Sequence, residues 1–513
     1  MFNHPPAGNP YTAESVTDYR EDFEELETLL TDAVTRLKRF LTDIRKAKKH
    51  IPALTYEGVT KTADQYIEAC RLQYRAVEMC RKTLNHDTSG TFLKSAEEIK
   101  KITHEFLRTH QTRFGALITS TDWQSPSFLY SKHSQAGRQT DTIYATINDY
   151  KRDQHWDGHN FELAYRKAYI DGFITFPIQV SATSSGMAAF TTILSFILLE
   201  KKATGPVLIG KSIYFENKAL VMQAFPDAVI EVDESHTDEI IRAVDTHKPS
   251  VIIFDSLCNS PDVATPNLTA ITKHLASSCK EETYFIIDNT CLSVTFQPFP
   301  LIFARHTKLR LIVLESLNKY HQFGFDRVTG GVIWSYGGDT AKLFDYRVHL
   351  GTNISDLTAA SLPSPNRKIL TKRLLRHHRN AQIVAARLQN WIDTHSESPF
   401  SMIMFPGLPN HPSNPWMKHS SFCGSYFTVQ FKKKYQTITV YKRFVQAVIK
   451  TAKRNGVDIV SGTSFGMNTT RVYLTAVRSR PNTPFIRISA GTETRGTVEA
   501  VIGVFTDTFA VFR

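Results

Sequence analysis

A series of five short apolar runs, each followed by a helical segment, limits the possible folds of this chain more than any other feature. Each run has four or five mostly apolar residues and is closely followed by Ser, Asn or Asp. Runs of this length are typical of strands buried on both faces of a parallel sheet. The sequence therefore predicts an α/β fold with a doubly wound, mostly parallel sheet. We place its strands at residues 206–210, 228–232, 250–254, 284–288 and 311–314.

The stretch before this sheet has the spacing of apolar residues that amphipathic helices show. Phe23, Leu26, Leu30 and Leu37 belong to one such pattern, and two further patterns follow. This three- and four-residue spacing predicts a helical N-terminal extension over residues 1–118. The extension either forms its own small bundle or packs on the main body.

The rest of the chain divides into an arm and two domains. Residues 119–170 are polar and irregular in pattern, whereas residues 171–350 contain the predicted parallel sheet. After residue 350 a long basic helix leads into further strands and a helix that Gly456 ends. We therefore expect a large domain over residues 171–350 and an α+β small domain over residues 351–513.

Charge and cysteine content argue against several classes of function. The net charge is +12, but the basic residues concentrate in two helical stretches, 36–49 and 367–379, without interleaved aromatic residues or glycines. Solvated helix faces or attraction of small anions therefore fit better than nucleic-acid binding. The six cysteines form no CxxC pair and have no histidine at metal-ligand spacing, which favours free thiols and no metal site.

Membrane insertion and export are not expected either. No apolar run approaches the about 20 residues that a membrane helix needs. The first residues lack a basic region followed by an apolar one and are too acidic for a transit peptide. We expect a cytoplasmic protein.

Three polar motifs lie where the predicted strands end or a helix begins. A Ser-Ser-Gly step opens an apolar helix at Gly186, where backbone N–H groups can bind an anion. Asp288 ends one strand and Lys319 follows another. Each has an ordinary explanation, namely helix packing, a turn aspartate and a surface lysine. Together they supply what pyridoxal 5′-phosphate requires: a phosphate site, a carboxylate for the pyridine nitrogen and an amine for the aldehyde.

Beyond these three motifs, the chain from about residue 145 to 513 resembles the Cys/Met-metabolism, or cystathionine γ-synthase-like, family of fold-type I pyridoxal-phosphate enzymes. The motifs that carry the resemblance follow one another in the family's order: SSGMAA, SIYFENK, FDSLCNSPDV, IIDNT, ESLNKY and PFIRISAGTE. The resemblance implies a seven-stranded, mostly parallel sheet in the large domain, with pyridoxal 5′-phosphate as its cofactor.

The resemblance also implies a role for each motif residue. Lys319 would form the internal aldimine with the cofactor and, like Tyr214, would move protons. Arg487 would bind the α-carboxylate of an amino-acid substrate, and Thr463 and Ser464 would lie beside it. The remaining cofactor contacts are phosphate binding by Gly186, Met187, Ser316 and Asn318, ring stacking by Tyr214, and hydrogen bonds to the ring from Asn259 and Asp288.

One motif upstream concerns the assembly. Tyr150 and Arg152 have the spacing of the family's Tyr-x-Arg, which reaches the cofactor phosphate of a neighbouring subunit. By resemblance, residues 119–170 are thus a subunit-bridging arm, and the protein is a homodimer or homotetramer whose active sites are shared between subunits.

Several departures from the family's pattern bear on the substrate. Asn318 replaces a threonine, and Phe215 and Glu216 replace glycines after the stacking tyrosine. Glu216 either faces a cationic or amino-bearing substrate, or pairs with Lys218 or solvent. Thr463 stands where members acting on cystathionine often carry an acidic residue, so the usual transsulfuration substrate is not implied.

The resemblance implies γ-elimination or γ-replacement on an amino acid as the reaction. A β-lyase acting on a sulfur amino acid shares most of the pattern. A catalytically reduced scaffold or binding protein, with the extension as its working surface, is the alternative from another class. The joint presence of Lys319, Asp288, Asn259, Tyr214 and Arg487 favours an enzyme.

Overall fold

Three long helices form the N-terminal part of the protein. The computed structural model describes residues 11–46, 48–120, 155–172, 175–302, 308–475 and 484–512. Its first helices are α1 (Val16–Lys46), α2 (Ala53–Thr83) and α3 (Gly90–Ser120). The predicted apolar spacing is confirmed, because Phe23, Leu26 and Leu30 lie on the buried face of α1. These side chains belong to the same apolar core as residues of the parallel sheet in the large domain, so the extension packs on the main body.

Ion pairs add to this contact, and they correct the expectation of a solvated basic face at residues 367–379. These residues begin α11 (Arg367–Thr394), and several of them pair with acids of α1. The side chain of Arg376 is 6% exposed, and it pairs with Glu21 at 2.6 Å and Asp22 at 2.9 Å. Arg379 pairs with Asp18 at 2.6 Å. Buried cations must meet acids or hydrogen-bond acceptors to offset desolvation, and α1 supplies them.

Deletion of residues 1–118 is therefore expected to give an aggregated or unfolded protein. The deletion exposes the apolar core under α1 and strips buried arginines such as Arg376 of their carboxylates. Loss of one partner of a buried pair costs about 3–5 kcal/mol, which is comparable to the about 5–15 kcal/mol that stabilises a whole domain. Size-exclusion chromatography and urea unfolding, with the full chain as control, test this. A soluble truncated protein that unfolds at the same urea concentration would contradict it.

A helix within residues 119–170 corrects the expectation that this whole segment is irregular. Helix α4 (Trp156–Tyr169) begins after His155, whose Nδ1 accepts a hydrogen bond from the backbone N–H of Gly158. Its buried Tyr165 and Tyr169 are four residues apart, which is the helical spacing that could have revealed it. Tyr150 and Arg152 lie outside the described residues.

The large domain contains the predicted mostly parallel sheet, here with seven strands. The strand order is β1-β7-β6-β5-β4-β2-β3. Strand β7 runs antiparallel to both of its neighbours, and every other pair in the sheet is parallel. The five strands expected from the apolar runs are confirmed, and so is the total of seven that the family resemblance implied; the positions of β1 and β7 were not predicted. The strands are β1 (Gln179–Thr183), β2 (Val207–Gly210), β3 (Val229–Val232), β4 (Val251–Asp255), β5 (Thr283–Asp288), β6 (Leu309–Ser316) and β7 (Gly331–Tyr336).

Helices cover both faces of this sheet. Alternate residues of a strand enter opposite cores, so Ile253 packs with Phe190 of α5 on one face, and Phe254 with Leu275 of α8 on the other. This two-sided burial explains why the strands are apolar without alternation. The helices are α5 (Gly186–Leu199), α6 (Phe215–Ala224), α7 (Thr237–His247), α8 (Leu268–Ser278), α9 (Leu343–His349) and α10 (Asp356–Ser361).

The C-terminal part is built on a second sheet, with strand order β10-β11-β12-β9-β8. Gly456 ends α13 in a left-handed conformation with φ of +65°, as expected. Besides α11, the elements are β8 (Phe400–Met404), α12 (Asn414–Met417), β9 (Tyr426–Phe431), α13 (Ile438–Asn455), β10 (Val460–Ser461), β11 (Arg471–Thr475), β12 (Phe485–Ser489) and α14 (Arg495–Val511). Within the described residues, no helix has both the length and the apolar character needed to cross a membrane.

Candidate active site

A cleft of about 820 Å³ opens where the carboxyl ends of β4, β5 and β6 face the second sheet. Ligands of doubly wound α/β sheets bind at this end of the strands. All predicted site residues in the described part of the chain line this one cleft: Gly186, Met187, Tyr214, Glu216, Asn259, Asp288, Ser316, Asn318, Lys319, Thr463, Ser464 and Arg487.

Lys319 follows the last residues of β6, and its amine lies inside the cleft. Its Nζ donates a hydrogen bond to Oγ of Ser464 at 3.0 Å and lies 5.4 Å from the ring centre of Phe465. Burial lowers the pKa of the Lys319 amine, and the positive charge of Arg487 lowers it further. An amine in such a place loses its proton more readily than a surface lysine, which suits a nucleophile or a base.

A buried carboxylate, Asp255, and a half-buried one, Asp288, lie side by side at the ends of neighbouring strands. Asp255 of β4 and Asp288 of β5 are paired in the strand register. Asp288 accepts hydrogen bonds from the backbone N–H of Thr290 at 3.1 Å and from Nδ2 of Asn217 at 3.4 Å. Burial raises the pKa of both acids, and the charge of Asp288 raises the pKa of Asp255 further. Such a pair is stabilised when a cation meets one of the carboxylates.

The start of α5 and the end of β6 form a narrow polar cradle. A Cβ atom on Gly186 would lie 2.8 Å from Cβ of Ser316, so the two backbones approach closely. The first N–H groups of α5 point out of the helix here and favour an anion. Asn318 uses its Oδ1 to accept from the backbone N–H of Gly330 at 2.9 Å, which leaves its Nδ2 to donate to such an anion.

Arg487 lies on β12 at the opposite wall of the cleft. It is 4% exposed, and its Nη1 donates to Oδ1 of Asn259 at 2.7 Å. Its Nη2 donates to the carbonyl oxygen of Ser464 at 3.3 Å. Among the described residues, no hydrogen-bond partner of Nε is found, so the guanidinium keeps donor capacity for an anionic group.

Glu216, the acidic residue that replaces a glycine of the family's pattern, lies close to Tyr214 in the wall of the cleft. Burial raises the pKa of the Tyr214 phenol, and the neighbouring carboxylate of Glu216 raises it further. Lys218 pairs with Glu231 at 2.5 Å and not with Glu216, which excludes one of the two ordinary explanations for that carboxylate. Glu216 and Thr463 both line the cleft.

Comparison with known proteins decides the family. A model of the Cys/Met metabolism PLP-dependent enzyme family matches residues 123–500. The chain belongs to this family. Its enzymes use pyridoxal phosphate, as the motifs predicted.

The curated and solved relatives are distant. Bifunctional enzyme flvA of Aspergillus flavus is 24% identical over 312 residues; these cover 60% of this chain but only 36% of that protein's length. Structural matches include metB from Corynebacterium glutamicum (20% identity, TM-score 0.57, 74% of this chain and 92% of that one). Cystathionine gamma synthase from Xanthomonas oryzae pv. oryzae matches with 17% identity and a TM-score of 0.55, over 71% of this chain and 88% of that one. The cystathione gamma lyase CalE6 from Micromonospora echinospora matches with 18% identity and a TM-score of 0.56, over 74% of this chain and 93% of that one. At this identity they show the fold.

The described residues fit pyridoxal phosphate. The cradle at Gly186 admits an anion, Asp288 offers a half-buried carboxylate for a pyridine nitrogen, and Lys319 offers an amine. The cleft also has wall residues that sequence reasoning missed. Asp255 could have been found, since it stands four residues before Asn259, where the family's motif has a glutamate. The others are Asn217, Leu257, Thr290, Phe465, Tyr473 and Thr475.

Cys291 also lines the cleft, and its surroundings agree with the packing role expected for it. Burial is the main cause that raises the pKa of its thiol to about 12, and its Sγ lies 3.5 Å from the hydroxyl of Tyr426. A thiol of this kind stays protonated at neutral pH and is a poor nucleophile.

Gly186→Ala is expected to weaken the binding of pyridoxal phosphate by about 10- to 100-fold, because overpacking of a tight contact costs about 1–3 kcal/mol. The added methyl group would meet Ser316 at the cradle. Absorbance titration of cofactor-free protein with pyridoxal phosphate measures the change. Gly58→Ala is the control, since a Cβ atom there meets nothing within 4 Å. Equal affinity in the two variants would argue against a phosphate at this cradle.

Proposed function

We propose that this protein is a pyridoxal-phosphate enzyme that carries out γ-elimination or γ-replacement on an amino acid, with Lys319 as the lysine that binds the cofactor. The observation that carries this proposal is the convergence of Lys319 and Arg487 on Ser464. The amine donates to its hydroxyl and the guanidinium to its carbonyl oxygen. A base for the α-proton and a clamp for the α-carboxylate thus lie together in the cleft that Asp288 also lines.

The side chains would divide the work as follows. Arg487 binds the substrate carboxylate through parallel hydrogen bonds, while Asn259 keeps the guanidinium oriented. Lys319, whose pKa is lowered, takes the α-proton in its neutral form. Tyr214, whose pKa is raised, remains a phenol at neutral pH and donates a proton to the leaving group.

The cofactor, when bound, supplies an electron sink for the negative charge that forms when the α-proton leaves. Asp288 would hold the pyridine nitrogen in its protonated form, because an adjacent carboxylate stabilises that cation. Gly186, Met187, Ser316 and Asn318 would hold the phosphate, and Tyr214 would stack on the ring.

The position of Glu216 in the cleft favours a substrate whose side chain is neutral or carries an amino group. Its carboxylate lines the cleft, and Lys218, which could have neutralised it, pairs with Glu231 instead. A second carboxylate on the substrate would be repelled here. The preference for γ over β chemistry rests on the resemblance of SSGMAA and the C-terminal motifs to γ-synthases and γ-lyases. A cytoplasmic homo-oligomer with shared active sites is part of the same proposal.

An absorbance experiment tests the proposed function. Purified protein is loaded with pyridoxal phosphate, and spectra are recorded with amino acids that carry leaving groups at Cβ or Cγ. We expect visible absorbance that changes with Cγ-substituted amino acids, and formation of an oxo acid or an exchanged product. Response to Cβ-substituted compounds alone would favour a β-lyase. A protein that binds no pyridoxal phosphate would instead leave the scaffold alternative.

A further inference from the structure

The loop of residues 463–468 touches Lys319 at two points. Ser464 accepts the hydrogen bond from the amine, and a Cβ atom on Gly466 would lie 2.9 Å from the carbonyl carbon of Lys319. Ser464 has φ of +75°. A residue with a side chain keeps this left-handed conformation only where its surroundings hold it there. The loop therefore needs an anchor outside the cleft.

Arg373 of α11 supplies this anchor. Its side chain is 5% exposed, and its Nη2 donates to Oδ1 of Asn468 at the end of the loop at 2.5 Å. Its Nη1 donates to Oε1 of Glu25 on α1 at 2.7 Å. A planar guanidinium binds two acceptors in fixed directions, so the Glu25 carboxylate helps to set how Arg373 meets the side chain of Asn468. The backbone oxygen of Asn468 also accepts from the N–H of Thr492.

The N-terminal helices also contact the chain just after Lys319. Nε2 of His104, on α3, lies 3.2 Å from the carbonyl oxygen of Phe323. The His104 ring is 4.9 Å from the ring of Phe325. Phe323 is itself left-handed, with φ of +50°. The extension therefore contacts two segments near Lys319: residues 463–468, through Arg373, and residues 323–325, directly.

We propose that the N-terminal helical extension is a positioning element of the active site, which acts through Glu25, Arg373 and Asn468 on the loop that carries Ser464. This inference rests on the role proposed for Lys319. Helices α1 to α3 precede residue 123, where the match to the family model begins. The proposed support of the active site therefore comes from a part of the chain outside that match.

Two variants and a matched control test the proposal in the full-length protein loaded with pyridoxal phosphate. The variants are Glu25→Ala and Asn468→Ala, and the control is Glu24→Ala. Glu24 adjoins Glu25 and pairs with Lys372, which adjoins Arg373, at 3.0 Å. These two side chains are 52% and 40% exposed, so their pair does not reach the loop.

We expect amide hydrogen exchange within residues 463–468 to become about tenfold faster in both variants and to stay unchanged in the control. We also expect the visible absorbance of the bound cofactor to titrate at a shifted pH in both variants, because Ser464 no longer holds the amine in place. A purely structural role of Glu25 would lower thermal stability without moving this titration.

Asn468→Ala keeps the Glu25–Arg373 pair, so its effect on the loop cannot come from loss of the extension. If Glu25→Ala does not fold, Glu25→Gln, which keeps the size of the side chain but removes its charge, takes its place, and unchanged loop exchange in that variant overturns the proposal. Unchanged exchange and titration in Asn468→Ala, or equal changes in Glu24→Ala, would overturn the proposal. Lys319→Ala distinguishes failure of the role proposed for Lys319 from failure of the role proposed for the extension. If wild-type protein shows no cofactor absorbance that this variant loses, the role of Lys319 fails, while the exchange data still test the anchor.

Discussion

Lys319→Ala is expected to lower turnover by roughly 10³-fold, because a positioned proton-transfer group alone contributes about 10²–10⁴-fold. The variant should also lose the visible absorbance of the bound cofactor, since among the described residues that line the cleft Lys319 is the only lysine. The half-buried amine of Lys319 donates to Ser464 and has a lowered pKa, and replacement by alanine removes this amine. Absorbance spectra and turnover of the amino acid that changes the wild-type spectrum measure both effects.

Lys211→Ala is the matched control for this prediction. Lys211 directly follows β2 as Lys319 follows β6, but its side chain is exposed. The control should keep the spectrum and the turnover of the wild type. A Lys319→Ala protein that retained a tenth of wild-type turnover would contradict the proposed role.

Arg487→Met should lower kcat/KM by roughly 10²- to 10³-fold, since truncating one partner of a buried, hydrogen-bonded charge pair costs about 2–5 kcal/mol. The variant loses the donors that would meet the substrate carboxylate and leaves Asn259 without its partner. Arg487→Lys should fall between wild type and Arg487→Met, because an ammonium keeps the charge but not the forked geometry.

The substrate supplies the control for Arg487. Wild-type protein should respond to an α-amino acid far more strongly than to the amine that lacks its carboxylate. Arg487→Met should lose most of this preference, which is read from the concentration of each compound that changes the cofactor absorbance. If the variant still prefers the amino acid as strongly as wild type, another residue binds the carboxylate.

Most of the candidate site could be predicted because its residues follow strands that local sequence reveals. Asp288 and Ser316 end β5 and β6, and parallel strands bring their carboxyl ends to one edge. Strands β1 and β7 escaped prediction. Their pairing joins positions far apart in the chain, such as Thr183 and Gly331. Gly331 matters for packing, since a Cβ atom there would lie 2.2 Å from the carbonyl oxygen of Ser185.

The basic stretch at residues 367–379 shows where local pattern misleads. A run of arginines on a helix is usually solvated, yet Arg376 is buried against acids more than 350 residues earlier in the chain. A sequence shows which residues are charged, but not which opposite charges they contact in the folded protein. Only the tertiary structure, which brings α1 beside these arginines, decided that.

Sequence alone was enough to predict the type of sheet, the long helices in the described part of the N-terminal extension, and a lysine, an aspartate and an arginine suited to pyridoxal phosphate. These follow from periodicity and from motifs that lie within a few residues of one another. The tertiary structure alone decided that Asp255 lies beside Asp288, and that Glu25 reaches the Ser464 loop through Arg373. Such contacts join elements distant in the chain, and they exist only once the apolar cores have brought the helices together.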